Sequence, residues 1–148
     1  MKSPTFSKTP PNHAAGASLL EVLVTVVLLS VGLLGIAGTQ TIGLKNVANA
    51  SLRTQASVLA YDIVDRMRAN RIAAEAGSYN IAIGAAPTDS TTIIGQDLGQ
   101  WKTSLAGNLP QGDGAVAVAA GVVTVTLQWI EREGANGVMH TFQFNTRL

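Results

Sequence analysis

The 148-residue sequence contains no cysteine, which excludes disulfides and thiolate metal sites alike. Charge is scarce as well: 13% of residues are Asp, Glu, Lys or Arg, against roughly 25% in an average globular protein. Ten Lys and Arg face nine Asp and Glu, so there is no basic field to recruit nucleic acid. The two histidines, His13 and His140, cannot make a metal site alone, and His13 lies in the polar segment that precedes Gly16. The sequence shows no Ser/His/Asp grouping, no phosphate-cradling glycine loop and no carboxylate dyad. No enzymatic chemistry, cofactor or small-molecule substrate is therefore expected. Proline is absent between Pro11 and Pro87, so no proline breaks or kinks a helix in that interval.

Apolar residues make up 47% of the chain and the mean hydropathy is +0.27, and much of that apolar character is gathered into one stretch. Residues 1–15 are small and polar, with Lys2, Lys8 and three prolines, and read as a removable leader. Without the first 16 residues the basic count falls by two, to eight against nine acids, for a balance of −1. A glycine, Gly16, ends this segment; Glu21 follows, and then residues 22–38 run without a charge. The length just suffices to span a bilayer. Glu21 is the odd residue, because an ionisable group within a membrane-length segment is costly and marks a functional site by default. Gly32, Gly35, Gly38 and Gly43 interrupt the run; in lipid they permit close helix approach, and they are also where the helix bends most easily.

From residue 44 the pattern becomes amphipathic, with Leu44, Ala48, Leu52, Ala56, Leu59, Ile63 and Met67 spaced by three or four. The stripe predicts helix to about Ala76, with Gly77 as the stop. A single helix over 17–76 would be about 90 Å long at 1.5 Å per residue. Residues 77–87 read as loop, with a short strand around Tyr79, Ile81 and Ile83, and 88–92 as polar linker. Asp97 is expected to open a short helix to Ala106 with Leu98, Trp101 and Leu105 on one face. Three strands are expected at 115–119, 122–130 and 138–145, joined by turns at 120–121 and 133–137. The middle one alternates, with Val123, Val125, Leu127 and Trp129 on one side. The expected fold is α+β: a long N-terminal helix, hydrophobic then amphipathic, packed on a small antiparallel meander. Trp101 and Trp129 are expected in its core.

The Gly16-Ala17-Ser18-Leu19-Leu20-Glu21 stretch and its apolar continuation resemble the class III signal of type IV pilins and pseudopilins, with Ala17 where phenylalanine is usual. Residues 30–40, Ser-Val-Gly-Leu-Leu-Gly-Ile-Ala-Gly-Thr-Gln, and residues 60–71, Ala-Tyr-Asp-Ile-Val-Asp-Arg-Met-Arg-Ala-Asn-Arg, are similar to segments of the PilV family of type IV pilus modification proteins. The resemblance implies four parts: a leader over 1–16, a filament-core helix over 17–43, an amphipathic helix over 44–76 and a head over 77–148. It implies cleavage by prepilin peptidase between Gly16 and Ala17 and methylation of the Ala17 amino group. It further implies that Glu21 pairs with that amino group on a neighbouring subunit, neutralising two charges in an apolar core. More simply, Glu21 is an acid favoured by the helix dipole.

Asp62, Asp65, Arg66, Arg68 and Arg71 form a candidate partner face. They also read as an ordinary solvated helix surface, since i,i+3 and i,i+4 ion pairs contribute only about 0.2–0.5 kcal/mol each. The family reading is a minor pilin, a fimbrial subunit that helps to start assembly and affects adhesion or motility. Its partners would be other minor pilins, the major pilin and prepilin peptidase. It would be held in the inner membrane with a periplasmic head and then enter the pilus. One rival is a pseudopilin of type II secretion. The other is a secreted binding domain, with the segment up to Ala37 as an ordinary signal peptide.

Overall fold

The structure, a computed structural model, describes residues 18–133 and 136–148. The expectations on the leader, Gly16 and Ala17 therefore lie outside the described residues. The chain divides into two compact units, one up to Thr41 and one from Ile42 to Leu148. The helix α1, Leu19–Ala69, crosses that division.

In the first unit, α1 is opened by Ser18, whose hydroxyl accepts from the Glu21 amide at 3.2 Å. Ser18 and Glu21 have the spacing of a capping box. The apolar side chains beyond are all exposed: Leu23 is 62%, Leu29 65% and Leu34 72% accessible. The hydroxyls of Thr25, Ser30, Thr39 and Thr41 each donate to a carbonyl three or four residues back, at 2.7–3.0 Å. A helix in hydrocarbon must satisfy its polar groups internally, and these four side chains do.

The second unit is built on residues 42–69 of α1, a second helical turn α2 (Arg71–Glu75), a helix α3 (Ile93–Asn108) and three strands, β1 (Asp113–Ala119), β2 (Val122–Glu133) and β3 (Asn136–Arg147). The strands form an antiparallel sheet in the order β1-β2-β3. Val123, Val125, Leu127 and Trp129 of β2 are buried on one face. Against them lie Ala56, Ala60, Ile63, Val64 and Met67 of α1, with Leu98, Trp101 and Leu105 of α3. The two alanines let the helix backbone approach closely. Both tryptophans are core residues, and Trp101 also donates from Nε1 to the Leu59 carbonyl at 2.9 Å, tying α3 to α1.

The fold class matches the expectation, and several element boundaries differ. α1 ends at Ala69 because Asn70 leaves helical geometry (φ −124, ψ 52), so the stretch expected to reach Ala76 as one helix is broken into α1 and α2. The stripe also buries less than its spacing suggests: Leu44 is 72% exposed, and burial begins at Ala56. α3 starts at Ile93, not at Asp97; Thr92 caps it by accepting from the Gly95 amide at 3.2 Å. β2 continues past Ile130 to Glu133 and pairs there with Asn136. The expected strand around Tyr79 is a single bridge between Ile81 and Val116. The turn at 120–121 is two residues long, as expected, with Ala120 and Gly121 both at positive φ (48 and 75). That geometry matches the twist of a hairpin.

Candidate functional site

Glu21 lies in the first turn of α1, exposed, with the apolar surface of residues 22–36 directly after it. Its position fits the helix dipole, which favours an acid here. α1 is the one helix among the described residues long and apolar enough to cross a membrane, its most apolar 18-residue stretch averaging 2.6 in hydropathy. A helix with this much exposed hydrocarbon needs lipid or other helices around it.

The five residues of the candidate partner face separate into two groups. Arg66 is turned into the head. It donates from Nε to the Asp62 carboxylate at 3.2 Å, and from Nη1 to Asp97 at 3.2 Å and Gln100 at 2.9 Å. Asp97 also accepts from the Tyr79 hydroxyl at 2.7 Å. Burial, reinforced by that bond to Asp97, pushes the Tyr79 phenol up to about 12. Asp62 and Arg66 thus help to hold α1, α3 and the loop at Tyr79 together. Asp65 and Arg68 pair along the exposed helix face at 2.8 Å, and Arg71 pairs with Glu75 at 2.7 Å.

A second charged cluster, centred on Glu131, was not expected from the sequence. The Glu131 side chain is fully buried at the end of β2. Its two oxygens accept from Arg53 Nε and Nη2, both at 3.0 Å, in the two-pronged geometry that guanidinium and carboxylate favour. Trp129 Nε1 adds a third bond at 3.1 Å, and His140 Nε2 lies 3.5 Å away, its ring stacked on Trp129. The Arg53 guanidinium holds the Glu131 carboxyl below its ordinary 4.5 despite burial. At Asp113, burial pushes the carboxyl up, but Lys102 Nζ at 2.6 Å and the Gly84 and Gly114 amides outweigh it and keep the group below 3.8. Among the described residues, no cluster of His, Asp or Glu is arranged to hold a metal ion. The pairs Arg53–Glu131, Arg66–Asp97 and Lys102–Asp113 therefore join elements of the head to one another, while Asp65 with Arg68 and Arg71 with Glu75 pair on its surface.

Residues 11–37 match the family model of the prokaryotic N-terminal methylation motif. The chain carries a prepilin-type N-terminus. The match covers about a fifth of the sequence, Glu21 and most of the apolar run included. With the long apolar helix and the small antiparallel sheet, it supports a type IV pilin-like or pseudopilin-like protein, processed by prepilin peptidase and built into a pilus or membrane assembly. The motif belongs to structural subunits rather than enzymes, and α1 fits membrane anchoring. No curated protein and no solved structure matches the chain.

Proposed function

We propose that the chain is a minor pilin of the PilV type, cut between Gly16 and Ala17, methylated on Ala17, and added to a type IV pilus whose assembly it helps to start. The observation that carries this reading is the methylation motif over residues 11–37, with one acid, Glu21, ahead of an exposed apolar helix. The preference for a pilus over a type II secretion pseudopilus rests on residues 30–40 and 60–71, which are similar to the PilV family. Before assembly the head would stand in the periplasm. Asp65, Arg68 and Arg71, on the exposed side of the helical region, would face other subunits, while Asp62 and Arg66 serve the head itself.

Glu21 would neutralise the methylated ammonium of Ala17 on a neighbouring subunit. Glu21→Ala keeps a good helix former and leaves the cleavage glycine intact, so insertion and processing should survive. Assembly should weaken, since removing one partner of a buried pair costs about 3–5 kcal/mol. Intact-mass analysis of the membrane form should show a methylated chain beginning at Ala17. Fractionation should show the variant processed but depleted from sheared pili. A mature chain beginning at Gly38 would overturn the reading in favour of a secreted domain. Entry of the variant into pili at the wild-type level would remove the role given to Glu21.

A further inference from the structure

The two edges of the sheet are treated differently. On β1, the outer edge is occupied at its centre: Ile81 and Val116 exchange both backbone hydrogen bonds at 2.9 Å, and the Asn80 side chain accepts from the Val118 amide at 2.8 Å. On β3, nothing among the described residues covers the edge. This strand has 12 residues and pairs with β2 without a bulge from end to end. It holds no proline, lysine or acid, the devices that ordinarily blunt an edge. Its one full charge, Arg147, sits at the far end and makes no ion pair with any described side chain. Beside the edge, Phe142 and Phe144 are only partly buried, and Tyr61, in edge-to-face contact with Phe144 at 4.7 Å, is 51% exposed.

We propose that the β3 edge is a docking site for a strand of a different prepilin-type subunit. This rests on the subunit reading above. The occupant must be extended, apolar on the side of Phe142 and Phe144, neutral and polar on the side of Thr141 and Gln143, and acidic opposite Arg147. Such a strand would lengthen the sheet by backbone hydrogen bonds and cover the aromatic side chains.

A second copy of the chain does not fit. α1 meets Glu131 through Arg53 and, further along, meets Phe144 through Tyr61; Phe144 is the partner of Val125. Advancing along α1 therefore moves backward along β2, and α1 runs with β3. An antiparallel pair of β3 strands that matches faces would leave each Arg147 without a counter-charge, because the strand holds no acid. A parallel pair around a two-fold axis aligns the helices but sets Phe142 and Phe144 of one copy beside the polar face of the other. Head-to-tail addition of β3 to another copy's β1 meets the edge already taken by Asn80 and Ile81.

The test places the photo-crosslinker p-benzoylphenylalanine at Gln143, exposed beside the edge, and as a control at Thr103, exposed on α3, in the full chain in its own membranes. Irradiation should give a mass-shifted product at Gln143 that is lost at Thr103. Peptide sequencing should find Gln143 joined to an extended, alternating segment of another chain with a prepilin-type N-terminus. A product of the chain with itself, or with a protein lacking such an N-terminus, overturns the proposal. So does equal yield at both positions, or no product from a chain that is cleaved and membrane-held. A chain that is neither cleaved nor membrane-held overturns the subunit reading, and the edge proposal with it.

Discussion

Replacing Arg53 by methionine keeps the aliphatic stem of the side chain and removes both donors to the buried Glu131 carboxylate. Among the described residues the remaining direct donor is Trp129 Nε1 at 3.1 Å, with His140 beside it at 3.5 Å. Breaking a fully buried ion pair costs about 3–5 kcal/mol. The Arg53 side chain is 60% exposed, so water can follow the departing guanidinium, and we expect about 2–3 kcal/mol at neutral pH. With a urea dependence of about 1–3 kcal/mol per molar, the midpoint should fall by about 1 M or more. Trp101 and Trp129 both lie in the head core. Their fluorescence during urea unfolding of the full chain in detergent therefore reports on this unit.

The pH dependence carries the sign of the argument. In the native protein Glu131 is held below 4.5. Its contribution is therefore fully present above that value and lost as pH falls through the lower folded value. Without Arg53, burial dominates and raises the carboxyl, so the variant's deficit should be largest near pH 7 and shrink toward pH 4. Adding Glu131→Gln to Arg53→Met should restore stability at neutral pH, because an amide oxygen still accepts from Trp129 without carrying charge. An unchanged midpoint would refute the bridge as a stabilising contact. A deficit constant between pH 4 and 7 would show that Arg53 acts through packing alone.

Gly114→Ala should destabilise the head by about 1–3 kcal/mol through overpacking, read as a lowered urea midpoint. A methyl there would lie 2.6 Å from Trp101 Cη2 and 2.8 Å from Leu105 Cδ1. A fragment beginning at Lys45 should be soluble and unfold cooperatively, because burial in α1 begins only at Ala56 and Ile42–Leu148 is a compact unit of its own. Aggregation, or a gradual unfolding curve, would show that the anchor and the head divide elsewhere.

What was legible in the sequence was whatever repeats or clusters locally. The uncharged run after Glu21, the alternation of β2 and the two-residue turn at Ala120 and Gly121 each sit within a short window, and each appears in the structure. The start of α3 was missed because a single side chain sets it. Asp97 looked like a cap, but the group that closes the first turn of α3 is the Thr92 hydroxyl. Asp97 is spent instead on Tyr79 and Arg66, from elements far away in sequence. Nothing local distinguishes those uses of an acid. The same holds for the candidate partner face, where spacing alone places Asp62 with Arg66 and cannot tell that Asp97 and Gln100 draw Arg66 toward α3.

Glu131 was hidden for a different reason. Its partner Arg53 is 78 residues away, and Glu131 falls just past the strand expected over 122–130. Yet the period of two that marks Val123, Val125, Leu127 and Trp129 reaches residue 131 at its next step, so the register already assigned that side chain to the buried face. Taking the period over the charge would have required a cation within reach of the buried face, and α1 offers one in Arg53. Arg53 lies one turn before Ala56, the first buried residue of the helix. The pair thus closes the end of the core where both elements leave it, and a carboxylate placed there costs little only while the guanidinium remains.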